Sequence, residues 1–143
     1  GQPLPEAVLR LNQERAATDC YFDEICEIHR DHHAITRAEM IREVGDVVLA
    51  RREMGTSYHL AVVLDDAAQG ITHVTRGADL FEATKIHVTL QKLLELPTPT
   101  YCHHMLIRDE AGKRLAKRDD ARALATYRAE GASPADIRRL IGL

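Results

Sequence analysis

The sequence is poor in aromatic residues and in cysteine. Tryptophan is absent, and aromatic residues make up 4% of the 143 residues, so aliphatic side chains are expected to build the hydrophobic core. The three cysteines, Cys20, Cys26 and Cys102, are an odd and sparse set, unlike the dense framework of a small secreted domain held by disulfides. We therefore expect reduced thiols.

Long apolar runs and a strong charge of either sign are also missing. No run approaches the roughly 18 to 20 apolar residues that span a bilayer, and no charged start followed by an apolar stretch resembles a signal peptide. We therefore expect a soluble, cytoplasmic protein with no membrane partner. The formal net charge is -3, so contact with nucleic acid would have to rely on a local basic patch.

The beginning of the chain carries little pattern. It starts Gly1-Gln2-Pro3 without an initiator methionine, as a processed, tagged or partial product would. The composition changes near Gly45, and residues 1–44 predict only a poorly defined connecting or inserted segment. Within it, Thr36 and Glu39 form a capping pair for a short helix.

After Gly45 the sequence alternates between strand signals and helix signals. Short apolar runs rich in β-branched residues predict strands, which cover residues 47–50, 58–64, 71–75 and 101–107. Caps and helical spacing predict helices, which cover residues 80–94, 119–130 and 134 onward. This order predicts an α/β fold, and the chain length with its 45% apolar content supports a single domain.

Two helix starts carry specific capping signals. Asp79 is placed to cap the helix that begins at Leu80. Ser133 is followed by proline at the first helical position and by Asp136 three residues after the cap, which predicts the start of the last helix. The apolar residues that recur at helical spacing predict the buried face of the first of these helices, namely Leu80, Ala83, Ile86, Leu90, Leu93 and Leu94.

A basic loop follows the last predicted strand. Residues 113–118 hold four cations between a glycine turn and a helix start. Such a loop can gather around a polyphosphate and neutralise the charge that develops during its cleavage. A solvated run of surface charge gives the same pattern, so the residues alone leave both interpretations open.

Arg76 and Tyr58 are the candidate ligand-binding side chains. Arg76 lies at the carboxyl end of a predicted strand, where open α/β sheets bind their ligands. Its guanidinium could hold a carboxylate in bidentate fashion, whereas an ion pair with Asp79 is the structural alternative. Tyr58 opens another predicted strand, where its hydroxyl could reach a ligand or its ring could anchor the edge of the core.

A group of cysteines and histidines is the candidate metal site. Its members carry thiols and imidazoles, which are zinc ligands, and they are Cys20, Cys26, His29, His32 and His33. Five residues separate the two cysteines, which fits no common structural-zinc spacing, so metal binding stays open and we assign no metal ligand. His103 and His104 flank Cys102 in a predicted strand, where neighbouring side chains alternate faces, so these three predict core and sheet-surface positions.

Four ordered segments from residue 45 onward give the chain a family resemblance. They read GDVVLARRE, SYHLAVVLDDAAQGITHVTRGADLFEATKIH, LPTPTYCHHMLIRDEAGKRLAKRDDA and GASPADIRRLIGL. Together they resemble the C-terminal half of the catalytic domain of class I glutamyl-tRNA synthetases, and most closely their shortened paralogues, the glutamyl-queuosine tRNA(Asp) synthetases. The resemblance covers residues 45–143 and implies the second half of a Rossmann-type parallel sheet with C-terminal helices after it.

The resemblance also implies roles for individual residues. It implies that Tyr58 and Arg76 contact glutamate, with Arg76 near its carboxylate or the carrier phosphate. The segment Arg114-Leu115-Ala116-Lys117-Arg118 matches the ATP-binding Lys-Met-Ser-Lys-Ser signature, with arginine for the first lysine and alanine for the serine. Lys117 matches the second lysine, the catalytic group that stabilises the ATP phosphates, usually with Mg²⁺, as the adenylate forms.

Features that the family carries upstream have no match in this sequence. The His-Ile-Gly-His-type motif is absent, and Cys20 and Cys26 do not match the family's zinc site, which is expected only in that upstream region. The resemblance thus implies part of an ATP-dependent ligase that activates glutamate and transfers it to queuosine at the wobble position of tRNA(Asp), with the N-terminal half as a further partner. The alternatives are a non-catalytic fragment that binds nucleotide or RNA, a fragment of a glutamyl-tRNA synthetase, and a small metal-binding regulator.

Overall fold

The computed structural model describes residues 8–53, 55–108, 111–112, 114 and 123–142. The chain divides into two compact units, residues 1–104 and residues 105–143, and each is described by itself. Within the described ranges, no helix has both the length and the apolar character that crossing a membrane requires.

A four-stranded sheet is the frame of the first unit. Its strands lie in the order β3 (Asp31–Ile35), β2 (Cys20–Glu24), β6 (Thr100–His104) and β5 (His73–Gly77). Strands β2 and β5 both run parallel to β6, whereas β3 runs antiparallel to β2. This topology confirms the predicted α/β fold with a parallel sheet, and β5 and β6 confirm two predicted strands with bounds shifted by one to three residues.

A smaller sheet and short helices come from the first fifty residues. Strand β1 (Leu9–Leu11) pairs antiparallel with β4 (Val47–Ala50), which confirms the strand predicted over residues 47–50. Helix α1 (Gln13–Ala16) follows β1. Helix α2 (Arg37–Glu39) continues into a π-helical turn over Met40–Val44.

The segment before Gly45 contributes more order than its sequence pattern predicts. Its strand β2 lies between β3 and β6, inside the larger sheet. The hydroxyl of Thr36 accepts a hydrogen bond from the backbone N–H of Glu39 at 3.2 Å, which confirms the predicted cap. The domain boundary at residue 45 stays a prediction.

The prediction of a strand over residues 58–64 is wrong, because these residues begin helix α3 (Tyr58–Ala68). Ser57 caps the helix, and its hydroxyl accepts a hydrogen bond from the N–H of Leu60 at 3.3 Å. A short apolar run fits a buried strand and a helix equally well. Here the serine cap and the helix-forming alanines that follow favour the helix, which ends before Gly70 with its positive φ of 66°.

Helix α4 (Thr84–Leu93) confirms the predicted helix but not its start or its buried face. Asp79 lies in a 3₁₀ turn over Ala78–Leu80, and the N-cap of α4 is Ala83. The buried residues of α4 are mostly polar, namely Thr84, His87, Val88, Thr89, Leu90 and Gln91. Leu90 is buried as predicted, whereas Leu93 and Leu94, also predicted to be buried, are 39% and 43% exposed, so the buried strip of the helix is mostly polar.

The core of the first unit lies between the sheet and α4. Its buried members are Ala17, Cys20, Phe22, Ile35, Met40, Val88 and Tyr101. The rings of Phe22 and Tyr101 meet edge to face at 5.4 Å. The prediction of an aliphatic core is therefore only partly right, because these two scarce aromatic rings lie at its centre.

A disulfide joins Cys26 to Cys102, so the prediction of three reduced thiols is wrong for this pair. The pairing of β2 with β6 explains it. Glu24 lies opposite Tyr101, and the N–H of Ile25 donates to the carbonyl of Tyr101 at 2.9 Å, which brings the two cysteine Cα atoms to 4.8 Å. Cys20 is buried and free.

The second unit contains two short helices in its described part. Helix α5 (Leu124–Ala129) is followed by Gly131 at a positive φ of 90°, and the capping residues predicted for it, at 119–120, lie outside the described residues. Helix α6 (Pro134–Leu140) begins at a complete capping box of Ser133 and Asp136, which confirms the predicted start.

Candidate functional site around Arg76

The guanidinium of Arg76 is held by side chains from a neighbouring strand and from α4. Its Nε–H donates to Nε2 of His103 at 3.0 Å, its Nη1 to Nδ1 of His87 at 3.0 Å, and its Nη2 to the hydroxyl of Thr84 at 2.7 Å. The guanidinium carbon also lies 5.3 Å from the ring centroid of Tyr101. We call these five residues, Arg76, Thr84, His87, Tyr101 and His103, the arginine cluster.

Strand register and helix periodicity explain why these residues meet. Strands β5 and β6 are parallel, and Arg76 lies directly opposite His103 in their register. Thr84 and His87 are three residues apart on α4, so both side chains project from the same face of the helix. The cluster lies at the carboxyl end of β5, the position that the sequence predicts for Arg76.

Both imidazoles that accept from Arg76 are held in the neutral form. Burial and then the charge of Arg76 lower the pKa of His87 to about 3. Burial also lowers the pKa of His103, which the hydrogen bond to Glu24 only partly offsets. A guanidinium can only donate hydrogen bonds, so each imidazole must present a lone pair to it.

His59 extends the cluster toward α3. Its Nδ1 lies 3.0 Å from Nε2 of His87. Since Nδ1 of His87 accepts from Arg76, the neutral ring carries its proton on Nε2 and donates it to His59. Burial lowers the pKa of His59, and the charge of Arg76 lowers it further.

Tyr58 and Arg76, the two residues expected to bind an amino acid, line one cleft of about 280 Å³. Tyr58 lies in the first turn of α3 and is 52% exposed. It therefore opens a helix rather than a strand and does not anchor the core. Asp66 and Gln91 also line this cleft, whose volume is near the small end of the roughly 300 to 1,000 Å³ typical of ligand pockets.

The cleft presents a cation whose charge is not matched by the groups that hold it. Those groups are two neutral imidazoles, a hydroxyl and an aromatic ring, and the predicted alternative, an ion pair with Asp79, is not among them. Three N–H groups of Arg76 bond within the described residues. The arrangement suits an anionic ligand, above all a carboxylate that takes two parallel hydrogen bonds.

Most of the predicted phosphate-binding segment lies outside the described residues. This applies to Leu115, Ala116, Lys117 and Arg118. Arg114 is described, and its backbone pairs with Arg108 in an antiparallel bridge of the second unit. The role of this segment stays a prediction.

The residues of the predicted cysteine and histidine site do not converge. His29 stacks on Phe81 at 3.9 Å, and Nδ1 of His32 lies 2.7 Å from the carboxylate of Asp23. Burial raises the pKa of the Cys20 thiol, which disfavours the thiolate that a metal needs. These residues do not fit a zinc site.

A different group of metal-ligand types, Glu24, Cys26 and Cys102, does converge. The two sulfurs are joined in a disulfide. The carboxylate of Glu24 already accepts three hydrogen bonds, from the backbone of Cys26 and from the backbone and ring of His103. In this state the group is a structural junction rather than a metal centre.

The sequence-based prediction of the site does not include Glu24, Thr84, His87, Tyr101 or His103. The sequence predicts a core or sheet-surface position for His103, and this residue is fully buried. The signal that could have found it is the pairing of the two β-prone runs around residues 74 and 102, which places a histidine opposite Arg76.

Comparison with protein families and curated proteins places this geometry in context. The model of the tRNA synthetases class I (E and Q) catalytic domain matches residues 5–143. The glutamyl-Q tRNA(Asp) synthetase of Rhodobacter capsulatus is 74% identical over 143 residues, which are 100% of this chain and 51% of that protein. The protein of the same name from Nocardia farcinica is 42% identical over 135 residues, which are 94% of this chain and 40% of that protein. The chain thus spans about half the length of the curated relatives it matches.

Two solved structures share the fold. The crystal structure of glutamate-tRNA synthetase from Elizabethkingia anophelis matches with a TM-score of 0.63 and 26% identity, over 88% of this chain and 28% of that one. The structure of a glutamate tRNA ligase from Elizabethkingia meningosepticum, in complex with its amino acid, matches with a TM-score of 0.61 and 26% identity, over 98% of this chain and 28% of that one.

Proposed function

The chain belongs to the class I tRNA synthetase (E and Q) catalytic-domain family, and we propose that it forms the part of a glutamate-activating ligase that holds the amino acid and the ATP phosphates. The ligase joins glutamate to ATP as an adenylate and transfers it to queuosine at the wobble position of tRNA(Asp). The relatives named glutamyl-Q tRNA(Asp) synthetase, one of them 74% identical, support this choice over a glutamyl-tRNA synthetase.

The position of Arg76 in the cleft, held by neutral partners among the described residues, is the observation that carries the proposal. Glutamate brings two carboxylates, and Arg76 can pair with one of them through N–H groups that its neighbours do not use. The hydroxyl of Tyr58, on the same cleft, is a second group for the amino acid. A cleft of this volume accommodates a small polar ligand rather than a large one.

Lys117 is proposed as the catalytic residue, on the strength of its match to the family's signature. Attack of a carboxylate on the α-phosphate of ATP builds negative charge on phosphoryl oxygens. A fixed ammonium, supported by Arg114 and Arg118, lowers the energy of that state without any protein nucleophile. Leu115 and Ala116 complete the segment, and Ala116 supplies no hydroxyl.

Mg²⁺ is proposed only as a companion of the nucleotide. It prefers oxygen ligands in octahedral geometry, whereas the converging group among the described residues contains two sulfurs. These residues do not fit a magnesium site. Zinc is expected only in the family's upstream region.

Glutamate binding tests the proposal directly. Isothermal titration of the chain with glutamate should show binding that Arg76→Lys weakens by about 10- to 150-fold, since the loss of a charged, bidentate hydrogen bond costs roughly 1.5 to 3 kcal/mol. Arg42→Lys is the matched control, because Arg42 is exposed and bonds only to Glu43 among the described residues. Equal affinity in the Arg76→Lys variant would remove the arginine cluster from the amino-acid site.

ATP–pyrophosphate exchange tests the role of Lys117. In a protein that also carries the family's N-terminal half, Lys117→Ala should reduce glutamate-dependent exchange at least about tenfold, through loss of a charge-assisted contact. Lys92→Ala, at an exposed position of α4, is the control. An unchanged rate would exclude Lys117, and nucleotide binding without exchange in the unmodified protein would favour the non-catalytic alternative.

The acceptor separates the two synthetase activities. A glutamyl-queuosine synthetase should transfer glutamate to tRNA(Asp) that carries queuosine and not to the same tRNA without it. Transfer to the 3′ end of tRNA(Glu) would instead assign the chain to the glutamyl-tRNA synthetases. The same assay with and without a separately supplied N-terminal half tests whether that half is a partner.

A further inference from the structure

We propose that Glu24 is a positioning residue for Arg76: through His103, it fixes which ring nitrogen faces the guanidinium and thereby aims the arginine at its anionic ligand. This inference rests on the proposed function and deepens it. It concerns a residue of β2, on the opposite side of β6 from Arg76.

Glu24 is a fully buried carboxylate whose partners are all donors. Its Oε1 accepts from the backbone N–H of Cys26 at 2.9 Å and from that of His103 at 3.0 Å, and its Oε2 lies 2.5 Å from Nδ1 of His103. Both side chains have no exposed surface. A buried carboxylate is stable only when such donors satisfy it.

The ionised form of Glu24 follows from these bonds. Burial by itself raises the pKa of Glu24, but the hydrogen bonds from the ring and backbone of His103 and from Cys26 outweigh it, so the net pKa lies below its ordinary value. An ionised carboxylate can only accept. The ring of His103 must therefore donate from Nδ1.

The other side of the same ring faces a group that can only donate. The Nε–H of Arg76 points at Nε2 of His103, which accepts it only if it carries no proton. Donation at Nδ1 and acceptance at Nε2 together define one neutral tautomer. The two hydrogen bonds therefore point in one direction: Arg76 donates to His103, and His103 donates to Glu24.

Without the negative charge of Glu24, the His103 ring would no longer be required to carry its proton on Nδ1. With a glutamine in its place, the side-chain amide can present N–H groups to Nδ1, which favours the tautomer with its proton on Nε2. That proton would face the Nε–H of Arg76, two donors in contact. The hydroxyl of Thr84, 3.2 Å from Nε2, could accept that proton, but the Nε–H of Arg76 would lose its acceptor. The guanidinium would then no longer be held in the orientation that aims its remaining N–H groups at the ligand.

The test is the isosteric variant Glu24→Gln, with Glu27→Gln as the control. Glu27 lies three residues further along, in an exposed turn, so its variant removes the same charge without touching the ring. Imidazole ¹⁵N NMR should show His103 protonated on Nδ1 in the wild type and on Nε2 in Glu24→Gln. Glutamate affinity should fall at least about tenfold in Glu24→Gln and stay unchanged in Glu27→Gln.

A second substitution separates positioning from simple structural damage. In His103→Gln the amide oxygen can take the place of Nε2 as the acceptor for Arg76, whatever occupies position 24. The double variant Glu24→Gln, His103→Gln should therefore bind glutamate more tightly than Glu24→Gln alone. A general loss of packing would make the double variant weaker.

The outcomes are distinct for this inference and for the proposed function. A wild-type His103 with its proton on Nε2, which needs no variant to observe, overturns the inference. So does a Glu24→Gln chain that binds glutamate as the wild type does. A wild-type chain that fails to bind glutamate overturns the proposed function itself, whatever the NMR shows.

Discussion

The buried imidazole of His87 should make the stability of the first unit depend on pH. Its pKa lies at about 3 in the folded chain, against an ordinary value of 6.5. In the unfolded chain His87 therefore binds a proton near pH 6.5, whereas in the folded chain it stays unprotonated down to a much lower pH. The contribution of His87 to the free energy of unfolding is fully present above the unfolded pKa, and it falls as the pH drops through the interval between the two pKa values.

The magnitude follows from the width of that interval. One pH unit corresponds to 1.36 kcal/mol for one proton, so lowering the pH from about 7 to about 5 should remove roughly 2 kcal/mol through His87 alone. Arg76, His59 and His103 act on His87 in the same direction as burial. Because the pKa values of His59 and His103 are also lowered, the total loss in the wild type should exceed this value.

Urea unfolding at several pH values, followed by circular dichroism, measures the effect. His87→Gln keeps an acceptor for Arg76 but cannot take up the proton, so its unfolding free energy should vary less with pH than that of the wild type, by roughly 2 kcal/mol over the same range. His73→Gln, at an exposed position of β5, is the control. Parallel pH curves for wild type and His87→Gln would refute the assignment of His87 as a buried neutral acceptor.

Two further predictions concern stability away from the cluster. Ser133→Ala removes the capping box of α6 and should cost about 1 kcal/mol in the unfolding of the second unit; an unchanged melting temperature would mean that the cap contributes nothing. Lys85 is largely buried and bonds to Glu39, Glu43 and Glu82, so Lys85→Met should cost roughly 1.5 to 3 kcal/mol. High salt should narrow the difference between Lys85→Met and the wild type, and a difference that does not respond to salt would point to packing instead.

The sequence predicted those structural features that are determined by residues close together in the chain. The capping box at Ser133 was predictable because all its members lie within four residues. The helix at Tyr58 was not, because an apolar run of seven residues satisfies the hydrophobic pattern of two structures. The N-cap at Ser57 favours the helix here, but in the sequence a single serine is a weak signal compared with the seven-residue apolar run.

The site was predictable only in part, for a similar reason. Arg76 and Tyr58 stand out through the family resemblance, and the structure brings them to one cleft. Glu24 and His103 are 79 residues apart in the chain, and their contact arises only from the pairing of β2 with β6. The polar inner face of α4 was unpredictable for the same reason, since its polar side chains are buried against partners on the neighbouring strands β5 and β6, Thr84 and His87 against Arg76 and Gln91 against Tyr101.

The choice of neutral partners for Arg76 links the stability of the chain to its proposed chemistry. A carboxylate beside the guanidinium would hold it firmly but would also compete with the carboxylate of the ligand. The imidazoles and the hydroxyl accept hydrogen bonds from three of its N–H groups. Because these partners are neutral, they do not neutralise the positive charge that the guanidinium presents to the cleft. The ring of His103 lies between Arg76 and the carboxylate of Glu24, which is the one buried carboxylate among the residues that the structure describes. Several buried imidazoles must therefore stay neutral, so the feature that is proposed to leave Arg76 available to an anion also makes the fold sensitive to acid.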